Sequence, residues 1–235
     1  MPGYTRRQLK EDKFAETAQG AAQWATSHRR LLIWAIGLLV IVVLGTTGFV
    51  TWRNRKVEQG NDDLAAALRV LNAPLAGQGL PTGDTPTFNT AADRGKAAEK
   101  KFREIEDKYS VVGPGKIAHY LRGAALLQSG DAAGAEQEIK TAADSGDKDL
   151  AALAKMALAG IYRNSHRQAE AVKIYKDLAD HPTASVSKAT AQLALAEIYE
   201  TTDPQQATAI YHQLQKDDPN SMAARQAAQK LAGAK

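Results

Sequence analysis

The stretch that decides the fold runs from Ala152 to Pro182 and reads ALAKMALAGIYRNSHRQAEAVKIYKDLADHP. It is answered by ATAQLALAEIYETTDPQQATAIYHQLQKDDP from Ala189 to Pro219. A looser answer is GKIAHYLRGAALLQSGDAAGAEQEIKTAA, from Gly115 to Ala143. Laid over one another, Ala135, Ala171 and Ala207 recur every 36 residues, and so do Ile139, Tyr175 and Tyr211. Each copy holds two alanine-rich segments, and alanine is the best intrinsic helix former. Where two helices cross closely, Gly123, Ala159 or Ala196 on the first must be small to meet Ala135, Ala171 or Ala207 on the second. The larger Ile139, Tyr175 and Tyr211 then fill the gap against the next copy. A hairpin of this size cannot bury its apolar face alone, so stacked copies share one core.

Turn chemistry falls where this scheme needs it. Ser129-Gly130-Asp131 offers a glycine to end one helix in a left-handed residue and an aspartate to cap the next. Thr202-Asp203-Pro204 supplies a cap followed by proline at the first helical position. His181-Pro182 and Asp218-Pro219 close the second helices. The last turn is tighter, because Ala196 to Ala207 is one residue shorter than Gly123 to Ala135. Upstream, Ala97–Ser110 keeps the second-helix pattern through Ala98, Phe102 and Ile105, and its partner is a helix over about Val57–Asn72 carrying Leu64, Leu68 and Leu71. Between them Ala73–Thr90, rich in Gly, Pro and Thr, reads as an extended inserted loop. Ser221-Met222-Ala223 opens a last amphipathic helix, the cap of the stack.

With small residues at the crossings and a repeat near 34 residues, the segment over 96–219 resembles the tetratricopeptide repeat family. In such a stack the first helices line the concave side, which takes peptides or partner helices. The resemblance places Tyr120, Ala124, Leu127, Met156, Arg163, Asn164, Leu193, Glu197 and Glu200 on that side, with Arg163 near the two glutamates.

Leu31–Val50 is another kind of sequence: LLIWAIGLLVIVVLGTTGFV, without charge or proline. Twenty helical residues rise about 30 Å, the depth of a bilayer's hydrocarbon core. Arg29-Arg30 precede the run and Arg53, Arg55 and Lys56 follow it, while Trp34 and Trp52 mark the two boundaries. The apolar run is too long for a signal peptide and ends in Trp-Arg-Asn-Arg in place of a small-residue cleavage site. Lys and Arg counts near its two ends are closely matched. Counting six basic residues in 1–30 against Arg53, Arg55, Lys56 and Arg69 leans toward an N-terminus inside and a repeat domain outside. Gly37, Gly45 and Gly48 are not spaced by four, so the span carries no small-xxx-small dimer signal. The expected organisation is a basic tail over 1–30, a transmembrane helix over 31–52, and a repeat domain over 53–235 with its inserted loop at 73–90. The fold class is all-α: one membrane helix, then a helical-hairpin solenoid.

Composition removes several function classes. The net charge is +4, but residues 1–30 hold +3 of it, so the large domain has no basic face for nucleic acid. With no cysteine there is no disulfide, thiol chemistry or Cys-ligated zinc. His28 reads as part of the headgroup anchor and His119, His166, His181 and His212 as surface or turn residues; none stands in a Glu-xx-His or His-Glu-xx-His arrangement. Gly77-Gln78-Gly79 and Gly113-Pro114-Gly115 lack the strand before and the Gly-Lys-Ser/Thr ending of a phosphate loop, and Glu104-Ile105-Glu106-Asp107 reads as a solvated helix face. No catalytic residue, cofactor, metal ligand or small-molecule substrate is expected.

The order of segments, RRLLIWAIGLLVIVVLGTTGFVTWRNR followed by the repeats, resembles the YfgM-like family of ancillary subunits of the SecYEG translocon. That resemblance implies an inner-membrane protein with its repeat domain in the periplasm. It also implies partners: the Sec translocon, periplasmic chaperones and emerging chains. The alternative of another class is a structural scaffold for cell-envelope or division complexes.

Overall fold

The structure, a computed structural model, describes residue 24 and residues 26–77 and 86–233. Its helices are α1 (Arg29–Leu71), α2 (Ala91–Tyr109), α3 (Gly113–Ser129), α4 (Ala132–Ala143), α5 (Lys148–Asn164), α6 (Gln168–Asp180), α7 (Lys188–Thr202), α8 (Pro204–Asp217) and α9 (Met222–Gly233). No strand occurs among the described residues; one bridge joins Leu75 to Phe88. By internal contacts the chain divides into Met1–Arg55 and Lys56–Lys235.

In the first unit, α1 is long and apolar enough to cross a membrane: an 18-residue window has mean hydropathy 2.4 and none of it is buried. Its hydroxyls are satisfied locally. Thr46 donates to the Val42 carbonyl at 2.8 Å, Thr47 to Val43 at 2.7 Å and Thr51 to Thr47 at 2.6 Å. A hydroxyl so spent can stand in an apolar medium at little cost. The basic residues Arg6, Arg7, Lys10 and Lys13 of the expected tail lie outside the described residues.

In the second unit the core begins on the last turns of α1. Leu64 and Ala67 are buried with Ala98, Phe102, Ile105 and Tyr109 of α2 and with Ala118 and Ala125 of α3. Separate helices at about Val57 and Ala97 give way to longer ones. No proline or cap interrupts α1 before Leu71, and Thr90 caps α2 seven residues upstream by accepting the Asp93 amide at 3.0 Å. The described ends of the 73–90 segment are tied together, Ala76 N–H donating to the Phe88 carbonyl at 2.8 Å, and Arg94 Nη1 donates to the Ala73 carbonyl at 2.7 Å. Residues 78–85 of that segment lie outside the described residues.

From α3 onward a second core runs through the hairpins, taking in Leu126, Ile139, Leu158, Tyr162, Tyr175, Leu195, Tyr199, Tyr211 and Leu214. At the hairpin crossings Ala135, Ala159, Ala171 and Ala196 are fully buried and Ala207 is 3% exposed. A Cβ on Gly123 would stand at ordinary contact distance, 3.4 Å, from the Ala135 carbonyl but would collide with Ile139 Cγ1, so the Ile139 side chain fills the space a larger residue would take. Gly130 is left-handed at φ 91°, and Asp131 accepts the Gly134 amide at 2.9 Å. Asp203 likewise caps α8, whose first residue is Pro204. Helix α9 packs against α8 and buries Ala224 and Ala227.

A candidate protein-binding face and a buried ion cluster

The residues expected on the binding side fall on α3, α5 and α7, the first helices of three hairpins. Helical spacing puts Tyr120, Ala124 and Leu127 in one stripe of α3, Met156 and Arg163 in one stripe of α5, and Leu193, Glu197 and Glu200 in one stripe of α7. Tyr120, Met156 and Leu193 are half-buried and pack against the edge of the core. Ala124 is also half-buried, whereas Asn164 and Glu200 are exposed and Leu127 keeps 43% of its surface. Two further apolar residues, Ile117 and Leu153, stay exposed on these helices. Each stands one turn before Tyr120 or Met156, so running the spacing of i, i+3, i+7 backward finds both.

The polar members separate. Arg163 Nη1 donates to Glu197 Oε2 at 2.9 Å, joining α5 to α7. Glu200, expected beside the same arginine, is engaged elsewhere. Tyr211 donates its hydroxyl to it at 2.8 Å and Lys230 Nζ lies 3.1 Å away. Burial and that hydrogen bond raise the Tyr211 phenol above its ordinary pKa.

A different group of charges lies between α2, α3 and α4. Arg122 Nε donates to Glu99 Oε1 at 2.9 Å, and its Nη1 reaches Glu106 Oε2 at 2.8 Å and Glu138 Oε1 at 2.9 Å. His119 Nδ1 lies 2.9 Å from Glu138 Oε2 and 3.5 Å from Glu106 Oε1. Glu106 is only 8% exposed, which corrects the reading of Glu104–Asp107 as a solvated face: Glu104 and Asp107 point outward while Ile105 and Glu106 point in. His119 is likewise not a free surface histidine, since it is held against two carboxylates. Burial raises the Glu106 carboxyl above its ordinary pKa, opposed by His119 and Arg122. No spacing rule in one helix discloses this cluster, because its members come from three.

The family model for a tetratricopeptide repeat-like domain matches residues 22–194, well over half of the chain, a range that takes in the apolar part of α1 and stops within α7. No curated protein and no solved structure matches.

Proposed function

The chain belongs to the family of tetratricopeptide repeat-like domains, and from that premise we propose that it is a non-catalytic membrane-anchored adaptor, binding other proteins along the stripes of α3, α5 and α7. The observation that carries the binding face is its apolar row: Ile117, Leu127 and Leu153 stay 38%, 43% and 37% exposed on helices whose other faces are spent on the core. Half-buried Tyr120, Met156 and Leu193 widen the row, and the Arg163–Glu197 pair, with Asn164 and Glu200, edges it with charge and hydrogen-bonding groups. Such a surface suits an extended or helical peptide carrying apolar anchors.

The apolar, unburied window of α1 supports anchoring, since nothing among the described residues covers it. The family match includes this segment together with the repeats. Combined with the likeness to the YfgM-like proteins, it supports a finer reading. The repeat domain faces the periplasm of a bacterial inner membrane, α1 crosses that membrane over about 31–52, and the partners are the Sec translocon with periplasmic chaperones or emerging chains.

Photocrosslinking amino acids placed at Leu127 and Leu153 test this in living cells. Translocon or chaperone adducts are expected from both positions, and none from Lys176, which is exposed on a second helix. Adducts from Lys176 alone would remove the binding face. Paired phosphatase and fluorescent-protein fusions after Lys235 test orientation, and a fluorescent, phosphatase-inactive fusion would overturn the periplasmic placement.

A further inference from the structure

We propose that Glu106 Oε1, His119 Nδ1 and Glu138 Oε2 are three protein ligands of a divalent-cation site of the zinc class, set between α2, α3 and α4. The inference stands apart from the adaptor reading and rests on how the carboxylates are divided. Arg122 uses Glu106 Oε2 and Glu138 Oε1, which fixes both groups and leaves the other oxygen of each turned toward the imidazole. Glu106 Oε1 is buried and has no hydrogen-bond partner among the described residues, on a side chain more than nine-tenths buried. A buried acceptor without a donor is costly, and a cation removes that cost.

The spacing fits. Bonds of about 2.0–2.2 Å in a tetrahedron put ligand atoms roughly 3.3–3.6 Å apart. Here the imidazole nitrogen is 3.5 Å from one oxygen and 2.9 Å from the other, and all three atoms lie within 4.8 Å of one another. The charge fits too. Glu99, Glu106 and Glu138 meet Arg122 and, through Glu99, Arg103, so with neutral imidazole one carboxylate is left without a cation. The His119 side chain is 35% exposed, which leaves a path for the ion and a fourth position for water. One nitrogen and two carboxylates with an open position is a ligand set that zinc accepts. Arg122 is then the outer partner that orients the carboxylates.

The full chain in detergent, stripped with chelator, would be titrated with Co²⁺ as a visible probe and then with Zn²⁺ in competition. The expected result is one bound Co²⁺ per chain with the intense bands of low coordination, displaced by Zn²⁺. Affinity should fall at least about tenfold in Glu106→Gln and His119→Gln and hold in His181→Gln and His212→Gln. Zn²⁺ should also raise the unfolding temperature of the wild type and leave that of His119→Gln unmoved. Absence of a stoichiometric Co²⁺ band in the wild type overturns the proposal without reference to any variant. So does a band that survives in a folded His119→Gln protein.

Discussion

Ala159 and Ala171 show what a single side chain does in this domain. Both are fully buried where α5 crosses α6, so no space remains for a larger group. Added methylenes in such a site force rotamers and backbone to shift, at about 1–3 kcal/mol. Ala159→Leu is therefore expected to lower the urea midpoint of the full chain in detergent by that much, and Ala169→Leu, exposed on α6, to leave it nearly unchanged. Equal effects from both would refute close helix contact at this crossing. Asp63 gives the residue scale its pH dependence. It accepts from Lys108 Nζ at 2.9 Å and from the Tyr109 hydroxyl at 2.8 Å, and these bonds hold its pKa below the ordinary value. A depressed carboxylate stabilises the fold above its unfolded pKa, near 3.9, and that contribution disappears as pH falls through the lower folded value. The wild type should thus exceed Asp63→Asn in stability at neutral pH, with the gap closing below about pH 4. A gap that widened in acid would contradict the assignment.

At the scale of helices and turns, the period of 36 carries more than packing. Gly130 and His166 are one period apart and both are left-handed, at φ 91° and 60°. The following amides make the same bond back across the helix end, Asp131 to the Leu126 carbonyl at 2.9 Å and Arg167 to Tyr162 at 2.8 Å. In the third hairpin the turn is one residue shorter and Thr202 stays helical, so the pattern stops there. A left-handed residue with a Cβ costs about 1–2 kcal/mol. Gly130→Ala should destabilise the domain by roughly that amount, and His166→Gly should stabilise it, somewhat less because glycine also loosens the unfolded chain. Chemical denaturation of the two variants decides it, and destabilisation by His166→Gly would count against a strained turn. These turns also show what could be read in advance. Ser129-Gly130-Asp131 spells out its geometry, because glycine and aspartate favour those conformations for local reasons. Asn164-Ser165-His166-Arg167 adopts the same geometry with no such residue, since the helices on either side impose it. The stripes on α3, α5 and α7 that we propose for binding follow from helical spacing for the same local reason. The Glu106–His119–Glu138 cluster was not, because helix packing alone brings its members together.

For the whole molecule the governing quantity is the apolar surface that the described residues leave exposed. Across the described part of α1 that lies in the first unit, Leu31, Ile33, Leu38, Leu39, Ile41 and Leu44 are each more than half exposed. Burying a side chain of this kind contributes about 1.5–3 kcal/mol, so a bilayer offers them a more favourable place than water. The chain should accordingly remain with the membrane fraction through washes in high salt and alkaline carbonate, and leave it only in detergent. Charge provides the converse. An arginine near the centre of a membrane helix costs about 2.5–3.5 kcal/mol for insertion, so the double variant Leu39→Arg, Val42→Arg should pass largely into the soluble fraction. Exposed Lys173→Arg and Lys176→Arg, on α6, should change nothing. Release of the wild type by carbonate would mean that α1 lies against some other protein and does not span lipid, and the adaptor would then be attached through that partner.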